Sequence, residues 1–320
     1  MNWKKMKKNS NISSLATQKV FFLLFCYQIS MYFVGCKSEN SDTTTYGKLS
    51  ISVDETFRPL IDSEVKTFEG IYKYADVDVA YKSEAEAFND LMMIDSIRLI
   101  VAARKLNEEE TKQYKKWEIV PRITKIAYDA VALIGSKDLK DSTITLDEIK
   151  YLLSGSPKNP YGKNIKVVFD NSNSSTINFL RKKTGVDSLS KNCYALKSNG
   201  AVIDYISKEK NSIGVIGVNW ISDKEDTTNL SFLKSVKVLE VAANDKSDSF
   251  KPYQAYIAQK NYPLWREVYI ISKEAYTGLG TGLTAFIAGE KGQRIVLKFG
   301  LVPATMPVRL VEIINEDINY

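Results

Sequence analysis

The chain has 320 residues, and its 44 Lys and Arg residues outnumber its 38 Asp and Glu residues, which gives a formal charge of +6. A hydrophobic content of 44% excludes a disordered chain and is typical of a packed globular protein. There is no histidine, so the commonest general base and the commonest metal ligand are both absent. We therefore expect no enzyme activity, no cofactor and no metal site.

The N-terminus has the composition of an export signal. Residues 1–35 contain five lysines and no acidic residue, and an apolar run covers residues 20–34. This run is shorter than the ~20 residues that a membrane-spanning helix needs. It ends in Val34, Gly35 and Cys36, a pattern typical of bacterial lipoproteins, in which the signal is cut before a cysteine that then carries lipid. The alternatives are an ordinary cleaved signal and a short membrane anchor.

A lipid on Cys36 would define the organisation of the rest of the chain. Residues 1–35 are then a signal peptide, and the polar residues 36–46 are a tether between the lipid and the folded body. Because five lysines leave with the signal, the remaining chain is close to neutral, and we expect no nucleic-acid partner. The predicted location is the cell envelope, with the body facing the periplasm or the outer surface. Cys193 is then the one cysteine left unmodified, so no internal disulfide is expected.

The first half of the body alternates strand-like and helix-like segments. Ser83 and Asn107 are each followed by Glu three residues later, which is the signature of a helix start. The predicted elements are a strand at 48–53, a helix at 57–68, a strand at 77–81, a helix at 83–93, a strand at 98–102 and a helix from 107.

The second half continues this alternation. Thr145 with Glu148 predicts another helix start, and the glycine-rich residues 278–282 predict a turn that enters a helix. The predicted elements are an apolar run at 128–134, a helix at 145–154, a strand at 165–169, a helix through 179–180, strands at 212–218, 236–241 and 266–271, and a mainly helical segment at 283–299. Alternation of this kind favours an α/β fold.

Three loops each follow a predicted strand and precede a predicted helix. They are residues 54–56, the segment at Ser83, and residues 171–176. Hydroxyl and backbone N–H groups at a helix start can donate to an anion, and the helix dipole favours negative charge there. The alternative is that these Ser, Thr and Asn side chains are only helix caps. Three such loops at matching positions of one alternating fold favour a shared cleft.

Six segments carry motifs in a fixed order: residues 101–110, 146–155, 174–176, 212–215, 262–270 and 292–303. Their order resembles a known family, the phosphate-binding proteins of bacterial phosphate ABC transporters, within the type 2 periplasmic binding protein superfamily. The resemblance covers most of residues 47–303. Residues 174–176, which read Ser-Ser-Thr, stand where that family has Ser-Gly-Thr.

The resemblance implies a two-lobed α/β fold with a ligand cleft between the lobes. The first lobe would comprise residues 47–125 and 266–320, and the second lobe residues 126–265. The ligand would be a small oxyanion, with phosphate as the leading candidate, delivered to the permease of an ABC transporter. The ligand-binding residues carried over from the resemblance are Thr56, Phe57, Ser83, Ser174, Ser175 and Thr176.

Two positions depart from the pattern of that family. Arg104 stands near the place where the family has an acidic residue that accepts the phosphate proton. Arg104 is therefore a candidate charge partner for the anion, or else a surface ion pair with Glu108 or Glu110. Asp170 lies where the family often has an arginine, and its carboxylate would repel a dianion unless a cation offsets it.

These departures keep a second class of function open. A sensory or structural lipoprotein could retain the binding-protein fold without binding phosphate. An enzyme such as a phosphatase is disfavoured, because the sequence has neither histidine nor a cluster of acidic and cysteine residues with metal-ligand spacing.

Overall fold

A computed structural model describes residues 42–162, 164–221 and 236–306. The predicted signal peptide at 1–35 and the predicted lipid site at Cys36 lie outside the described residues. Of the predicted tether, residues 42–46 are described. Asp42 accepts a hydrogen bond of 2.7 Å from Arg98, so this end of the predicted tether is fastened to the folded body.

The described chain alternates strands and helices, as the sequence predicts. The strands are β1 (Tyr46–Asp54), β2 (Tyr74–Lys82), β3 (Ile97–Ala102), β4 (Arg122–Ser136), β5 (Thr143–Thr145), β6 (Lys166–Phe169), β7 (Cys193–Ala195), β8 (Ser212–Gly217), β9 (Val236–Val238), β10 (Glu240–Ala242), β11 (Ser249–Phe250), β12 (Trp265–Ser272) and β13 (Val302–Pro303). The helices are α1 (Arg58–Ile71), α2 (Glu84–Met93), α3 (Glu108–Lys116), α4 (Leu146–Ser154), α5 (Ser175–Thr184), α6 (Asn199–Lys208), α7 (Gln254–Ala258), α8 (Leu279–Ala288) and α9 (Glu290–Lys298). Two short 3-10 helices cover Glu55–Phe57 and Val218–Trp220.

The main sheet has the strand order β2-β1-β3-β12-β4-β8-β6-β7. β1 pairs in parallel with β2 and β3, and β6 pairs in parallel with β7 and β8. β12 and β4 lie between these two parallel groups and are antiparallel to their neighbours. The first lobe is built on β1, β2, β3 and the paired parts of β12 and β4, and the second lobe on β6, β7, β8 and the end of β4.

β4 joins the two lobes. Its early residues pair with β12, whereas residues from Val131 to Gly135 pair with β8. A strand of 15 residues can take part in both halves because it is long enough to run from one into the other. The predicted two-lobed α/β fold is confirmed. The lobe boundaries at 125–126 and 265–266 stay a prediction.

Apolar side chains cover both faces of the first lobe's sheet. Leu49, Ile51 and Val53 point to the face that α1 covers, in the larger apolar cluster. Ile100 and Ala102 belong to a second apolar cluster, which includes buried residues of α2 and Tyr114 of α3. Because helices cover both faces of these parallel strands, the loops after the strands lie together at the carboxyl edge of the sheet, where they can contact a ligand.

The structure corrects two predicted elements. The predicted strand 236–241 is two short strands, β9 and β10, because the chain leaves the edge of β4 after Val238 and pairs next with β5. The predicted helical segment 283–299 is two helices, α8 and α9, because Gly289 takes an extended conformation between them. None of the helices in the described part of the chain is long and apolar enough to cross a membrane.

Candidate functional site

The loops after β1 and β6 meet in the cleft between the lobes. Thr56 Oγ1 and Ser175 Oγ are 3.3 Å apart, although the two residues are 119 positions apart in the chain. Both residues are buried. Two of the three predicted loops therefore face each other from opposite lobes, as a shared cleft requires.

Thr56 is held from both lobes. Asp54 caps the short helix Glu55–Phe57, and its Oδ1 accepts the backbone N–H of Thr56 at 3.2 Å. The carbonyl oxygen of Thr56 accepts hydrogen bonds from Asn219 Nδ2 at 3.0 Å and from Trp220 Nε1 at 2.8 Å. These contacts bring the start of the first lobe's α1 against the end of the second lobe's β8, so the cleft is closed.

Arg266 lies at the centre of the cleft, on β12. Its Nε donates to Asp129 Oδ2 at 2.8 Å, and its Nη1 donates to Ser175 Oγ at 2.9 Å. Arg266 is paired directly across the strands with Asp129 of β4, and both side chains are buried. The guanidinium carbon also lies 5.4 Å from the centroid of the Phe57 ring. We call Thr56, Ser175, Arg266 and Asp129 the cleft cluster.

Sequence reasoning missed Arg266 and Asp129 as site residues. The signal that could have found them is their setting, because each is a charged residue among apolar residues of a predicted strand. A charge buried in such a strand needs a partner of opposite sign. The partner of Arg266, Asp129, lies 137 positions away in the chain. The two residues meet because β12 pairs with β4, which the sequence alone does not show.

Several buried polar atoms around the cleft cluster have no hydrogen-bond partner. They are the acceptor atoms Asp54 Oδ2, Glu55 Oε1, Asp129 Oδ1 and Asn219 Oδ1, and the donor Arg266 Nη2. Arg266 Nη2 is 2.8 Å from Asp129 Oδ2 as an ion pair but is not aligned to donate to it. Unsatisfied buried groups are costly, so their presence together indicates a site that a polar ligand completes.

The loop at residues 174–176 has one hydroxyl that caps a helix and another that faces the cleft. Ser174 caps α5, and its Oγ lies 3.0 Å from Thr176 Oγ1. Thr176 Oγ1 donates to Asp170 Oδ1 at 3.1 Å. Ser175 is the hydroxyl of this loop that faces Arg266 and the opposite lobe.

The other two predicted site residues are engaged outside the cleft cluster. Ser83 forms a capping box with Glu86, and its Oγ donates to Glu86 Oε2 at 2.6 Å. Arg104 forms two hydrogen bonds of 2.8 Å with Glu110, and its guanidinium stacks 3.5 Å from the centroid of Phe88. The ion-pair alternative for Arg104 is therefore realised with Glu110.

A cavity of about 430 Å³ opens beside the cleft cluster. Arg104, Lys105 and Arg266 line it together with a single acidic residue, Glu267. Arg104 and Arg266 are already paired with Glu110 and Asp129, so an anion that entered this opening would compete with those carboxylates for the two guanidinium groups.

Buried carboxyl groups surround the cleft cluster, and burial raises their pKa values. The pKa of Glu55 rises to about 7, and that of Asp170 rises to about 6 with a further contribution from the charge of Asp54. The pKa of Glu84 rises to about 7, and that of Asp54 also rises although Arg266 opposes the shift. Near neutral pH some of these groups therefore carry a proton, which weakens their repulsion of an anion.

The described residues contain no group of three or more His, Cys, Asp or Glu side chains that could hold a metal ion. Cys193 is a free, half-buried thiol, and burial raises its pKa to about 11. A thiol of this kind is a packing residue rather than a nucleophile.

Comparisons with known proteins agree with the fold. The sequence model of a family described as PBP superfamily domain matches residues 38–290. The phosphate-binding protein PstS of Borreliella burgdorferi is 24% identical over 300 residues, which cover 89% of this chain and 98% of that protein.

Two solved structures have the same architecture. One from Clostridium perfringens is described as a phosphate ABC transporter substrate-binding protein with bound phosphate; it has 23% identity and a TM-score of 0.67, and the match covers 81% of this chain and all 100% of that one. The other is an ABC-type phosphate transport receptor from Vibrio cholerae, with 16% identity, a TM-score of 0.60 and coverage of 80% and 100%. The resemblance inferred from the motifs is thus confirmed at the level of the fold.

Proposed function

Because this chain belongs to the family of the PBP superfamily domain, we propose that it is a substrate-binding protein that captures phosphate between its lobes outside the cytoplasm. It would deliver the anion to the permease of an ABC transporter. The mechanism is reversible binding, and no bond is broken. The named relatives support this proposal, since the proteins that the chain resembles are described as phosphate-binding or phosphate-transport proteins.

The single observation that carries the proposal is the buried guanidinium of Arg266. Its Nη1 donates to Ser175, the first residue of α5, and its Nη2 is ion-paired with Asp129 at 2.8 Å without being aligned to donate a hydrogen bond. A bound anion would gain a charge-assisted hydrogen bond from Arg266 and the positive end of the α5 dipole.

The remaining donors come from both lobes. Thr56 and Ser175 would exchange their mutual contact of 3.3 Å for contacts with the anion. Phe57, Ser174 and Thr176 stay predicted ligand residues, since their backbone N–H groups lie at helix starts. Ser83 and Arg104 also stay predictions, and a ligand would have to compete with Glu86 and Glu110 for their donors.

The buried carboxyls favour phosphate over sulfate. Phosphate keeps at least one proton at neutral pH and, when Asp54 is ionised, can donate it to Asp54 Oδ2, which has no other hydrogen-bond partner. Sulfate has no proton to donate, so it would leave that oxygen unsatisfied beside its own negative charge. A site built to hydrogen-bond a group strongly rejects an analogue that lacks the group.

We retain the lipid anchor on Cys36 as part of the proposal. Residues 1–35 would be the signal peptide, and the lipid would keep the binding domain at the cell envelope. The support is the sequence pattern of a basic, acid-free start, an apolar run and the triplet Val34, Gly35 and Cys36.

One observation favours the alternative of a sensory or structural lipoprotein. Asp54, Glu55, Glu84, Asp129 and Asp170 are five buried carboxyls around one buried arginine, Arg266. If they stay ionised, the cleft repels a dianion, and the fold would serve a purpose other than phosphate capture.

Calorimetric titration of the purified chain with phosphate and, separately, with sulfate at pH 7 tests the proposal. We expect saturable heat with phosphate and none with sulfate. A ligand that binds only the folded state also raises its melting temperature, so a thermal shift with phosphate provides an independent readout. The absence of both signals would reject phosphate capture in favour of the alternative.

A further inference from the structure

Exposed apolar side chains gather at the end of the first lobe that is opposite the cleft. We call this end the lower pole; β1, β2 and β3 begin there, and α1, α2 and α3 end there. One group of exposed residues is the Trp117 patch, formed by Met93, Ile94, Trp117, Val120 and Ile123. The described residues of the second lobe show no comparable group. Their exposed large apolar side chains are Tyr194 and Tyr253.

The members of the Trp117 patch are linked through the structure beneath them. The Tyr114 ring lies 5.5 Å from that of Trp117, and the Tyr114 hydroxyl donates to the carbonyl of Leu91 near the end of α2. Lys273, which follows β12, donates to the carbonyl of Ile94. Ile123 pairs with Ile271 at the same end of β12. The patch therefore runs from the end of α2 across the end of α3 to the start of β4.

The chemistry of the patch fits the interface of a lipid bilayer. Val120 is 89% exposed, and Met93 is 67% exposed, so two flexible or branched apolar side chains project into solvent. Trp117 adds an aromatic side chain of the kind that is enriched at membrane interfaces. Tyr46 and Tyr74 extend the aromatic character along the same pole, with ring centroids 6.0 Å apart.

Charge at the patch is mixed, with a small basic excess. Lys115 and Lys116 precede Trp117, Arg122 precedes Ile123, and Lys273 contacts Ile94, whereas the acids are Asp95 and Glu118. An uncharged phosphatidylcholine surface offers no net charge to this excess, so apolar insertion would hold the patch to such a bilayer.

The chain enters the body at the same pole. Asp42 is fixed there by Arg98 at 2.7 Å and by the hydroxyl of Tyr276 at 2.7 Å. Six residue steps separate Asp42 from Cys36. A fully extended chain spans at most about 3.6 Å per residue, so a lipid on Cys36 would keep Asp42 within roughly 20 Å of the bilayer.

We propose that the lower pole rests on the membrane through the Trp117 patch. This inference depends on the proposed lipid anchor, because the short chain between Cys36 and Asp42 is what brings this pole to the bilayer. β1 has nine residues and runs from the lower pole to the cleft, a distance of about 30 Å at 3.3 Å per residue. In this posture the cleft lies on the side of the first lobe that faces away from the lipid.

Fluorescence quenching of the lipidated protein in phosphatidylcholine vesicles tests the docking. Lipids brominated high in the acyl chain quench tryptophans that enter the interface. Beyond the predicted signal peptide the chain has three tryptophans: Trp117, Trp220 and Trp265. We expect quenching in the wild type and in W265F, and its loss in W117F. High salt is expected to leave the quenching unchanged.

A matched pair of surface variants checks that the apolar patch is responsible. V120E places a charge at an almost fully exposed position, and Y253E does the same at an exposed position of the second lobe. V120E is expected to abolish quenching of Trp117, whereas Y253E leaves it intact. Equal thermal melts of the two variants would show that both are folded.

Vesicle flotation separates this inference from the lipid anchor. Protein that floats with the vesicles but shows no quenching of Trp117 retains the anchor and overturns the docking. Protein that fails to float overturns the anchor itself. Sedimentation tests whether the patch instead binds a second copy of the chain. A dimer that forms in the wild type but not in V120E would show such binding and would reject docking on the membrane.

Discussion

At the scale of single residues, the cleft depends on one buried arginine. Arg266 is held by Asp129 and donates to Ser175, while its Nη2 is ion-paired with Asp129 but donates no aligned hydrogen bond. A buried ion pair is a weak source of stability, because desolvation offsets most of the attraction between its charges. Its position between the two lobes is better explained by ligand binding than by folding.

Ser175 provides the first prediction. Ser175→Ala removes the hydroxyl that meets both Arg266 and Thr56. Losing one hydrogen bond to a charged group typically costs about 1.5–3 kcal/mol, so phosphate affinity should fall by ~10-fold or more in calorimetric titration. Ser207→Ala is the matched control, since Ser207 is exposed on α6, and it should leave the affinity unchanged. Equal affinities in the two variants would remove Ser175 from the site.

Glu64 provides a prediction about stability. Both of its carboxyl oxygens are buried without a hydrogen-bond partner, and burial raises its pKa to about 9. Glu64→Met removes this unpaired group at similar volume and should stabilise the fold by about 1–3 kcal/mol. At this chain length, 1 kcal/mol corresponds to a shift in melting temperature of about 2–4 °C.

The raised pKa of Glu64 also determines how the effect of Glu64→Met on stability changes with pH. Because the folded pKa of Glu64 lies above the ordinary value of 4.5, its contribution to stability is fully present below 4.5 and is lost as the pH rises towards 9. Thermal melts should therefore show that the gain in stability of Glu64→Met over the wild type increases from pH 4.5 to about pH 9. Lys66→Met, at an exposed position of the same helix, should show no such trend. A gain that is equal at all pH values would contradict the assignment.

At the scale of elements, α8 is fitted closely to the start of the described chain. A Cβ atom added to Gly282 would lie 1.8 Å from the carbonyl oxygen of Thr44, a backbone atom that cannot move aside easily. The glycines of the predicted turn at 278–282 thus serve two purposes. Gly278 precedes the helix as its N-cap, whereas Gly282 lies inside it for close packing.

Gly282→Ala should accordingly destabilise the protein. Overpacking typically costs about 1–3 kcal/mol, which denaturant melts can measure. Gly70→Ala is the matched control in α1, because nothing lies within 4 Å of the added Cβ atom. That variant should instead stabilise the fold by about 0.4–1 kcal/mol through the unfolded chain. The prediction fails if the two variants shift stability in the same direction.

At the scale of the whole molecule, the lobes are joined by direct contacts across the cleft. Asn199 of the second lobe donates to Glu55 of the first lobe at 2.6 Å. Burial and the charge of Asp170 together raise the pKa of Glu55 to about 7, so we expect this contact to be sensitive to pH near neutrality. We predict that the stability of the closed form depends on the protonation of Glu55.

Glu55→Gln tests this coupling. The contribution of Glu55 to stability is fully present below 4.5 and is lost as the pH rises to about 7, because the unfolded chain releases the proton first. Gln keeps an oxygen that can accept from Asn199 but does not ionise, so the variant should be more stable than the wild type above pH 7, by on the order of 2–3 kcal/mol. Melts at pH 4.5 and pH 8 measure the difference. An equal difference at the two pH values would exclude Glu55 as the titrating group.

Local signals in the sequence determined the helix starts. The capping boxes at Ser83, Asn107 and Thr145 each involve a residue three positions away, and all three are present in the structure. The alternation of strands and helices likewise predicted the α/β class, because the period of apolar residues reports which faces are buried. These features are decided within a few residues and need no knowledge of distant partners.

Contacts between distant parts of the chain decided the candidate site. The sequence left Arg104 as either an anion contact or an ion pair, and the structure pairs it with Glu110 at the cavity beside the cleft cluster. Arg266 and Asp129 are recognised as site residues only in the structure. The antiparallel pairing of β12 with β4 places these two charges, far apart in the sequence, next to each other. The sequence by itself determined the class of fold and the loops that border the cleft, since both follow from local periodicity and capping. The tertiary structure alone decided which charges meet there, because strand register fixes long-range pairs that no local pattern encodes.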